Sequence, residues 1–266
     1  MKLLSIIKNI ICGPAPKMNI IKTFIFNFKL LPFRQAVILP IYMYGRWNSR
    51  SLKGSIVIDS DKIQTGMFKF GYDTAGYFTA AISTLSIHDK ATFHIAKGVR
   101  IGQGVQICLM SGSELVLKEN SSLNDNVKVI CSASIVIGKS SRITWECQVT
   151  DYGSHYIMEK NANQVSSISY PVIIGDYCWI GNRTTIMPRT LLPNRVIVAS
   201  NSLLIKNYVE MGIKEYTMIG GSPAKLIKEN VFRIYKKENE DKIKKYFKNN
   251  PRSLFYELSP EDNFEE

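Results

Sequence analysis

The chain has 266 residues, is 45% hydrophobic and 21% charged, and carries a formal net charge of +12. That length and mixture suit one substantial core with extensions and argue against a disordered chain. Five cysteines, an odd number with no C-x-x-C pair, argue against a disulfide framework or zinc ribbon and fit a reducing compartment, so the protein is read as intracellular.

The opening "MKLLSIIKNIICG" imitates a secretion signal, but Lys8 splits its apolar stretch and Ile11 before Cys12 is not the small residue a cleavage site prefers. From Met1 to Ile58 there are nine basic residues, Lys2, Lys8, Lys17, Lys22, Lys29, Arg34, Arg46, Arg50 and Lys53, and the first acid is Asp59. Such an arm suits an anionic membrane face or a phosphorylated substrate, at about 1 kcal/mol per basic residue near anionic lipid. A solvated basic face packed beside the main domain explains it equally well. Charges interrupt every apolar run before it reaches spanning length, so no segment is expected to cross a bilayer. "NIIKTFIFNFKLLPFRQAVILP" is cut by Pro32 and Pro40 and is expected to dock as short helical or extended pieces on the main domain.

That main domain is a repeat. Large aliphatics fall on every sixth residue at Ile95, Ile101 and Ile107, then in shifted frames at Leu117, Leu123 and Val129 and at Ile137, Ile143 and Val149, and finally at Ile174, Ile180, Ile186, Leu192, Val198 and Leu204. The fifth residue of each hexad is short, from Val99, Val105 and Ser111 through Ser121, Val127, Ala133, Ser141, Cys147 and Gly153 to Cys178, Thr184, Thr190, Val196 and Ser202. A helix wants apolar residues at three and four and an exposed strand wants them at two, so a period of six suits neither alone. It does suit a short strand plus a corner, three of which close a triangular coil. Coils then stack at the strand spacing of about 4.8 Å, which predicts Ile174 under Leu192 and Ile180 under Val198. The expected fold is therefore an all-β solenoid, with Cys147 and Cys178 in packing roles.

The frame breaks at "VTDYGSHYIMEKNANQVSSISYPV". His155 takes a slot that should hold a buried aliphatic, where an imidazole would lack partners. The chain is therefore expected to leave the coil there, with His155 at an edge and residues 158–173 as an inserted loop, a common place for function. His88 and His94 show no such break and are read as structural. Trp179 fills an outward corner slot, where it covers a neighbouring chain or lines a site. "PAKLIKENVFRIYKKENEDKIKKYFKNN", from Pro223, reads as one or two C-terminal helices, followed by an acidic tail. The expected divisions are an extension at 1–58, the repeat domain at 59–222, and a helical segment with its tail at 223–266.

The runs "PVIIGDYCWIGNRTTIMP", "VIVASNSLLIKN" and "MIGGSPAKLIK" resemble the "IGD-x-x-WIG", "IGAGS" and "G-x-PAK" signatures of the hexapeptide-repeat acyltransferases over roughly residues 85 to 228. The basic N-terminal stretch is similar to that of capsular and lipopolysaccharide O-acetyltransferases. The resemblance implies a left-handed parallel β-helix, acetyl-coenzyme A as co-substrate, a sugar or polysaccharide acceptor and a homotrimer with sites between subunits. It implies His155 as general base and Trp179 near the thioester or acceptor. Gly181, Asn182 and Ser200 would line the pantetheine channel, with Lys206 and Lys225 near the nucleotide phosphates. Asp151 or a backbone carbonyl is expected to orient the imidazole. No metal and no nucleic acid are expected: a zinc hydratase on this architecture needs three converging histidines, and His88, His94 and His155 are spaced unlike that set. An amino-sugar or xenobiotic N-acetyltransferase is the alternative. "VASNS" and "MPRT", with Ala199 and Arg189 where glycines are frequent, are departures that could narrow or recharge the channel. The cytoplasm, or the inner face of the membrane, is the expected location.

Overall fold

In the computed structural model of the protein, residues 17–72 and 82–258 are described. The signal-like opening with Cys12, and the acidic tail beyond Leu258, lie outside them.

Three sheets form the body of a left-handed parallel β-helix, and the chain visits them in fixed order. The first face holds Ser55–Asp59, Thr92–Ala96, Glu114–Leu117, Ser134–Ile137, Val172–Ile174 and Leu191–Leu192. The second holds Arg100–Ile101, Ser122–Leu123, Arg142–Ile143, Trp179–Ile180, Ile197–Val198 and Met218–Gly221. The third holds Trp47–Asn48, Ser83–Ile87, Gln106–Leu109, Lys128–Cys131, Gln148–Thr150, Thr185–Ile186 and Leu203–Leu204.

Register turns the repeat into three interior columns. Ile95, Leu117, Ile137, Ile174 and Leu192 stack on the first face. Ile101, Leu123, Ile143, Ile180 and Val198 stack on the second. Ile107, Val129, Val149, Ile186 and Leu204 stack on the third. None of these is more than 3% exposed, so each gains about 1.5–3 kcal/mol of burial before entropy.

The two frame slips have one cause. In the early coils the strands of the third and first faces run four or five residues, as in Gln106–Leu109 and Glu114–Leu117, against two in Thr185–Ile186 and Leu191–Leu192. The extra residues widen the third/first corner. There Ser111 and Gly153 are exposed and Ala133 is half-buried, because Leu109, Cys131 and Asp151 fill the corner instead. Elsewhere the short residue is buried. The thiols of Cys147 and Cys178 are pushed up by burial to about 11 and about 12, which leaves them protonated packing groups.

Corners turn on the fourth residue of the hexad, which sits in the left-handed backbone region. Gly98 and Gly104 do so early, and Asn120, Asn126, Tyr177, Arg183, Arg189 and Arg195 later, with φ between 56° and 76°. A side chain there costs about 1–2 kcal/mol. Partial compensation comes from stacking: the Arg195 guanidinium lies 5.0 Å from the Tyr177 ring centre and that of Arg189 3.7 Å from Tyr170.

Both ends are plugged. The helix Ile20–Leu30, capped by the Asn19 side chain accepting from Lys22 N, turns Phe26 and Leu30 inward. Its buried Asn27 donates to Ile41 O at 2.7 Å and accepts from Ile41 N, while Thr23 Oγ1 accepts from Met43 N, so the helix completes the edge of the strand Ile41–Met43. Phe26 meets Trp47 edge to face, and Trp47, Phe70 and Phe93 continue the chain of rings in tilted contacts across the first coils. The N-terminal extension therefore does pack on the coils, although Trp47–Asn48 and Ser55–Asp59 already belong to the faces and place their start before residue 59. At the other end Ala224–Lys228, expected as helix, is a strand antiparallel to Met218–Gly221 that closes the second face. The C-terminal helix begins only at Lys237 and runs to Asn249.

Candidate active site

His155 lies where the chain leaves the third face. The strand Gln148–Thr150 ends, Ser154 takes a φ of 66°, and His155 N donates to Gly153 O at 2.8 Å. The side chain is exposed. Beyond it the insertion carries a small hairpin, Met158–Glu159 against Gln164–Val165, and returns through a bridge between Tyr152 and Ser169 to the first face at Val172. Tyr170 N donates to Asp151 O, and the Tyr170 ring receives Arg189 from the next coil at the same corner. The stem of the insertion is thus fixed at both sides of His155.

Asp151 does not orient that imidazole. It is fully buried, and its two carboxylate oxygens accept from Ser132 N at 2.6 Å and Ala133 N at 2.7 Å on the preceding coil. No hydrogen bond among the described residues joins it to His155. The physical reason is position: in an outward-turning chain, Asp151 occupies the last inward-facing slot, and a buried carboxylate takes the backbone donors of the corner beneath it.

Trp179 is outward on the second face, paired with Arg142 and Ile197 and 37% exposed. Arg233, from the segment before the C-terminal helix, places its guanidinium 5.6 Å from the indole and 5.2 Å from the Tyr235 ring. Tyr235 in turn donates to Tyr177 O. A cavity of about 450 Å³ opens beside the indole, bounded by Phe232, Arg233 and Glu240. Burial, with the neighbouring Arg233 and Arg100 charges, lowers the Arg142 pKa, so this side of the prism is cation-rich.

The cofactor-binding candidates divide. At the second/third corner Ser200 Oγ donates to Asn182 Oδ1 at 2.6 Å, one coil apart as the stacking predicts. Gly181 lies beneath them, where an added Cβ would meet Ser200 N at 2.5 Å and Val198 O at 2.7 Å, so only glycine fits. Lys225 pairs with Gly220, which packs on Ala199, and is exposed on that same side. Lys206 is exposed too, but it comes after the third-face strand Leu203–Leu204 and precedes the first-face bridge at Asn207. It belongs to the third/first corner, the corner of His155.

Two sets of residues therefore face opposite ways. His155, Arg189 and Lys206 descend one corner, while Trp179, Asn182, Ser200 and Lys225 occupy the second face and its far edge. A triangular section puts any face opposite the remaining corner, so one chain cannot bring His155 and Trp179 together. His94, as expected, is structural: it bridges coils, with Nε2 3.1 Å from Glu114 and Nδ1 3.7 Å from Asp59. Among the described residues no group of three His, Cys, Asp or Glu side chains stands at metal-holding distance.

No protein-family model matches the chain. It is 27% identical over 153 residues to "Putative lipopolysaccharide biosynthesis O-acetyl transferase WbbJ" of Escherichia coli K12, an alignment covering 54% of this chain and 74% of that one. Its fold is similar to the crystal structures of the polysialic acid O-acetyltransferase OatWY, with a TM-score of 0.54, 21% identity and coverage of 75% of this chain and 99% of that one. It is similar also to the polySia-specific acetyltransferase NeuO, with a TM-score of 0.55, 16% identity and coverage of 80% and 83%. In sequence the chain is thus similar to an acetyltransferase of lipopolysaccharide biosynthesis, and in fold to hexapeptide-repeat acetyltransferases.

Proposed function

We propose that the protein moves the acetyl group of acetyl-coenzyme A directly to a hydroxyl of a cell-surface polysaccharide or its precursor, with His155 as general base, in a site shared between subunits of a trimer. The imidazole takes the hydroxyl proton, the oxygen bonds to the thioester carbonyl carbon, the C–S bond breaks, and the thiolate leaves and is protonated. The sugar acceptor is supported by the relative named for lipopolysaccharide biosynthesis and the two polysialic acid enzymes.

One observation carries the shared site: His155 and Trp179 face opposite ways in one chain, each beside groups suited to half of a site. A neighbour's second face set against the third/first corner reunites them. Lys206 and Lys225 then flank one groove, where a cofactor's phosphates would be held by charge. Coexpression tests this. His155→Ala and Trp179→Ala chains, each inactive alone, are expected to regain about a quarter of wild-type transfer when mixed in equal amounts, because a quarter of the interfaces then pair two intact residues. Absence of any recovery would mean the two residues serve a site within one chain or no common site.

An assay of coenzyme A release across neutral sugars, acidic glycans, sugar nucleotides and amines separates the hydroxyl reading from the N-acetyltransferase one. Activity on amines alone overturns the former.

We also place the protein against the inner, anionic face of a membrane. No helix among the described residues is long and apolar enough to cross one. Yet the outer side of Ile20–Leu30 and its continuation leaves Ile21 72%, Phe24 48%, Phe28 44%, Phe33 73% and Val37 52% exposed. Lys17, Lys29 and Arg34 stand exposed among them. Apolar side chains interleaved with cations are the pattern of a helix lying in a lipid interface. The variant Phe24→Glu/Phe28→Glu is expected to stay in the supernatant with phosphatidylglycerol vesicles that sediment the wild type, while transfer to a soluble acceptor is unchanged. Equal sedimentation of both would refute the membrane placement.

A further inference from the structure

A cavity of about 620 Å³ lies on the outside of the third face, between the early coils and the N-terminal extension. Its floor includes Ser86, Cys108 and Ile130, which are stacked in register, and the next residue in that column is Thr150. Thr150 ends the strand from which the His155 turn departs. The cavity is therefore one coil from the candidate base, on its own face. Asp151, holding Ser132 N and Ala133 N, ties those two coils together.

Direction gives the cavity its meaning. With acetyl-coenzyme A held as proposed, Asn182, Ser200, Lys206 and Lys225 all lie on coils after His155, so the acyl donor occupies the C-terminal side and the acceptor must approach from the N-terminal side. The cavity is on that side. Its rim carries Lys22 from the N-terminal helix, Arg50 from the extension and Lys128 from the third face, and no carboxylate lines it. None of the three cations has an ion pair with a described residue. Gln106 and Ser86 supply polar contacts among them, and Arg50 N donates to Ser86 Oγ at 2.9 Å, fixing the wall to the floor.

We infer that this cavity is the acceptor subsite and that it selects a saccharide bearing anionic groups, carboxylate or phosphate. Three unpaired cations around a partly enclosed hollow of mixed polarity favour such a chain over a neutral one, and charges of this kind act chiefly on capture. The inference rests on the proposed transfer reaction for its meaning but not for its test, because binding can be read without catalysis.

The test uses the full chain and the double variant Arg50→Glu/Lys128→Glu, with Lys118→Glu on the first face as a charge control. All three substituted positions are exposed, and thermal melting checks that the variants fold. Acceptors are a sialic acid oligomer, a glycan carrying phosphodiesters and a neutral oligosaccharide of equal length. Direct binding is measured by calorimetry at two ionic strengths, and KM by coenzyme A release. In the wild type, an anionic glycan should bind more tightly than the neutral one, with affinity falling as salt rises. In the double variant its KM and Kd should rise about tenfold or more, with kcat and the KM for acetyl-coenzyme A little changed. Which anionic glycan responds identifies the carboxylate or phosphate source. Unchanged KM and Kd for both, a preference for the neutral glycan, or a rise confined to acetyl-coenzyme A would overturn the inference, the last by assigning the cavity to the donor's phosphates. If the wild type transfers acetyl to no glycan, the proposed transfer reaction falls, and the binding measurements still decide the cavity.

Discussion

His155→Ala is expected to lower kcat/KM for acetyl transfer by about 10²- to 10⁴-fold, the usual contribution of a positioned general base. The fold should be untouched, since the side chain is exposed and its only described hydrogen bond is made by backbone, His155 N to Gly153 O. The Ser154 φ of 66° that sets the turn also belongs to the preceding residue. Melting temperature and acetyl-coenzyme A binding should therefore match the wild type, and a Gln at the same position should restore neither rate nor any part of it. A near-normal rate in His155→Ala would remove the proposed base. A fall in rate together with a fall in melting temperature would reassign the residue to structure.

The core columns were legible because a filled prism admits one large aliphatic per side per coil, and a spacing of six has no other comfortable home. The break at His155 was legible for the same reason, as a violation of a strict rule. Corner chemistry was only half visible. The small fifth residue could be seen, but the fourth, which takes the left-handed backbone, is Gly98 and Gly104 at the start and Tyr177, Arg183 and Arg195 later, so composition hides it. A residue such as Arg189 is tolerated because Tyr170 stacks on it, and Tyr170 comes from the insertion, which no periodicity describes. The Arg233 cover over Trp179 was hidden in a stretch that reads as helix from Pro223. Its first residues instead close the second face as Ala224–Lys228, because a sheet edge with open donors recruits them. The third-face cavity left one trace in the sequence, the run of cations without an acid before Asp59, but only folding shows that Lys22 and Arg50 meet Lys128.

Asp151→Ala is expected to lower stability by about 2–4 kcal/mol, removing two charge-assisted bonds and leaving Ser132 N and Ala133 N without acceptors at a largely buried corner. For a chain of this size that is a drop of roughly 5–15 °C in melting temperature. The amide in Asp151→Asn is no remedy: its oxygen can accept from one N–H, and its NH₂ then confronts the other, so a drop of similar sign results. Both variants keep the loop stem bonds from Tyr170 N to Asp151 O and from Gly153 N to Ile168 O, which are backbone contacts. Below the melting transition His155 should therefore remain near its place, with kcat/KM reduced less than about tenfold, far short of the loss in His155→Ala. An imidazole-orienting carboxylate makes the reverse pattern, a large fall in kcat with an unchanged melting curve, and that result would return Asp151 to the catalytic machinery. The difference comes from where the side chain points: it seals the last rung that the chain completes before turning outward to present the base.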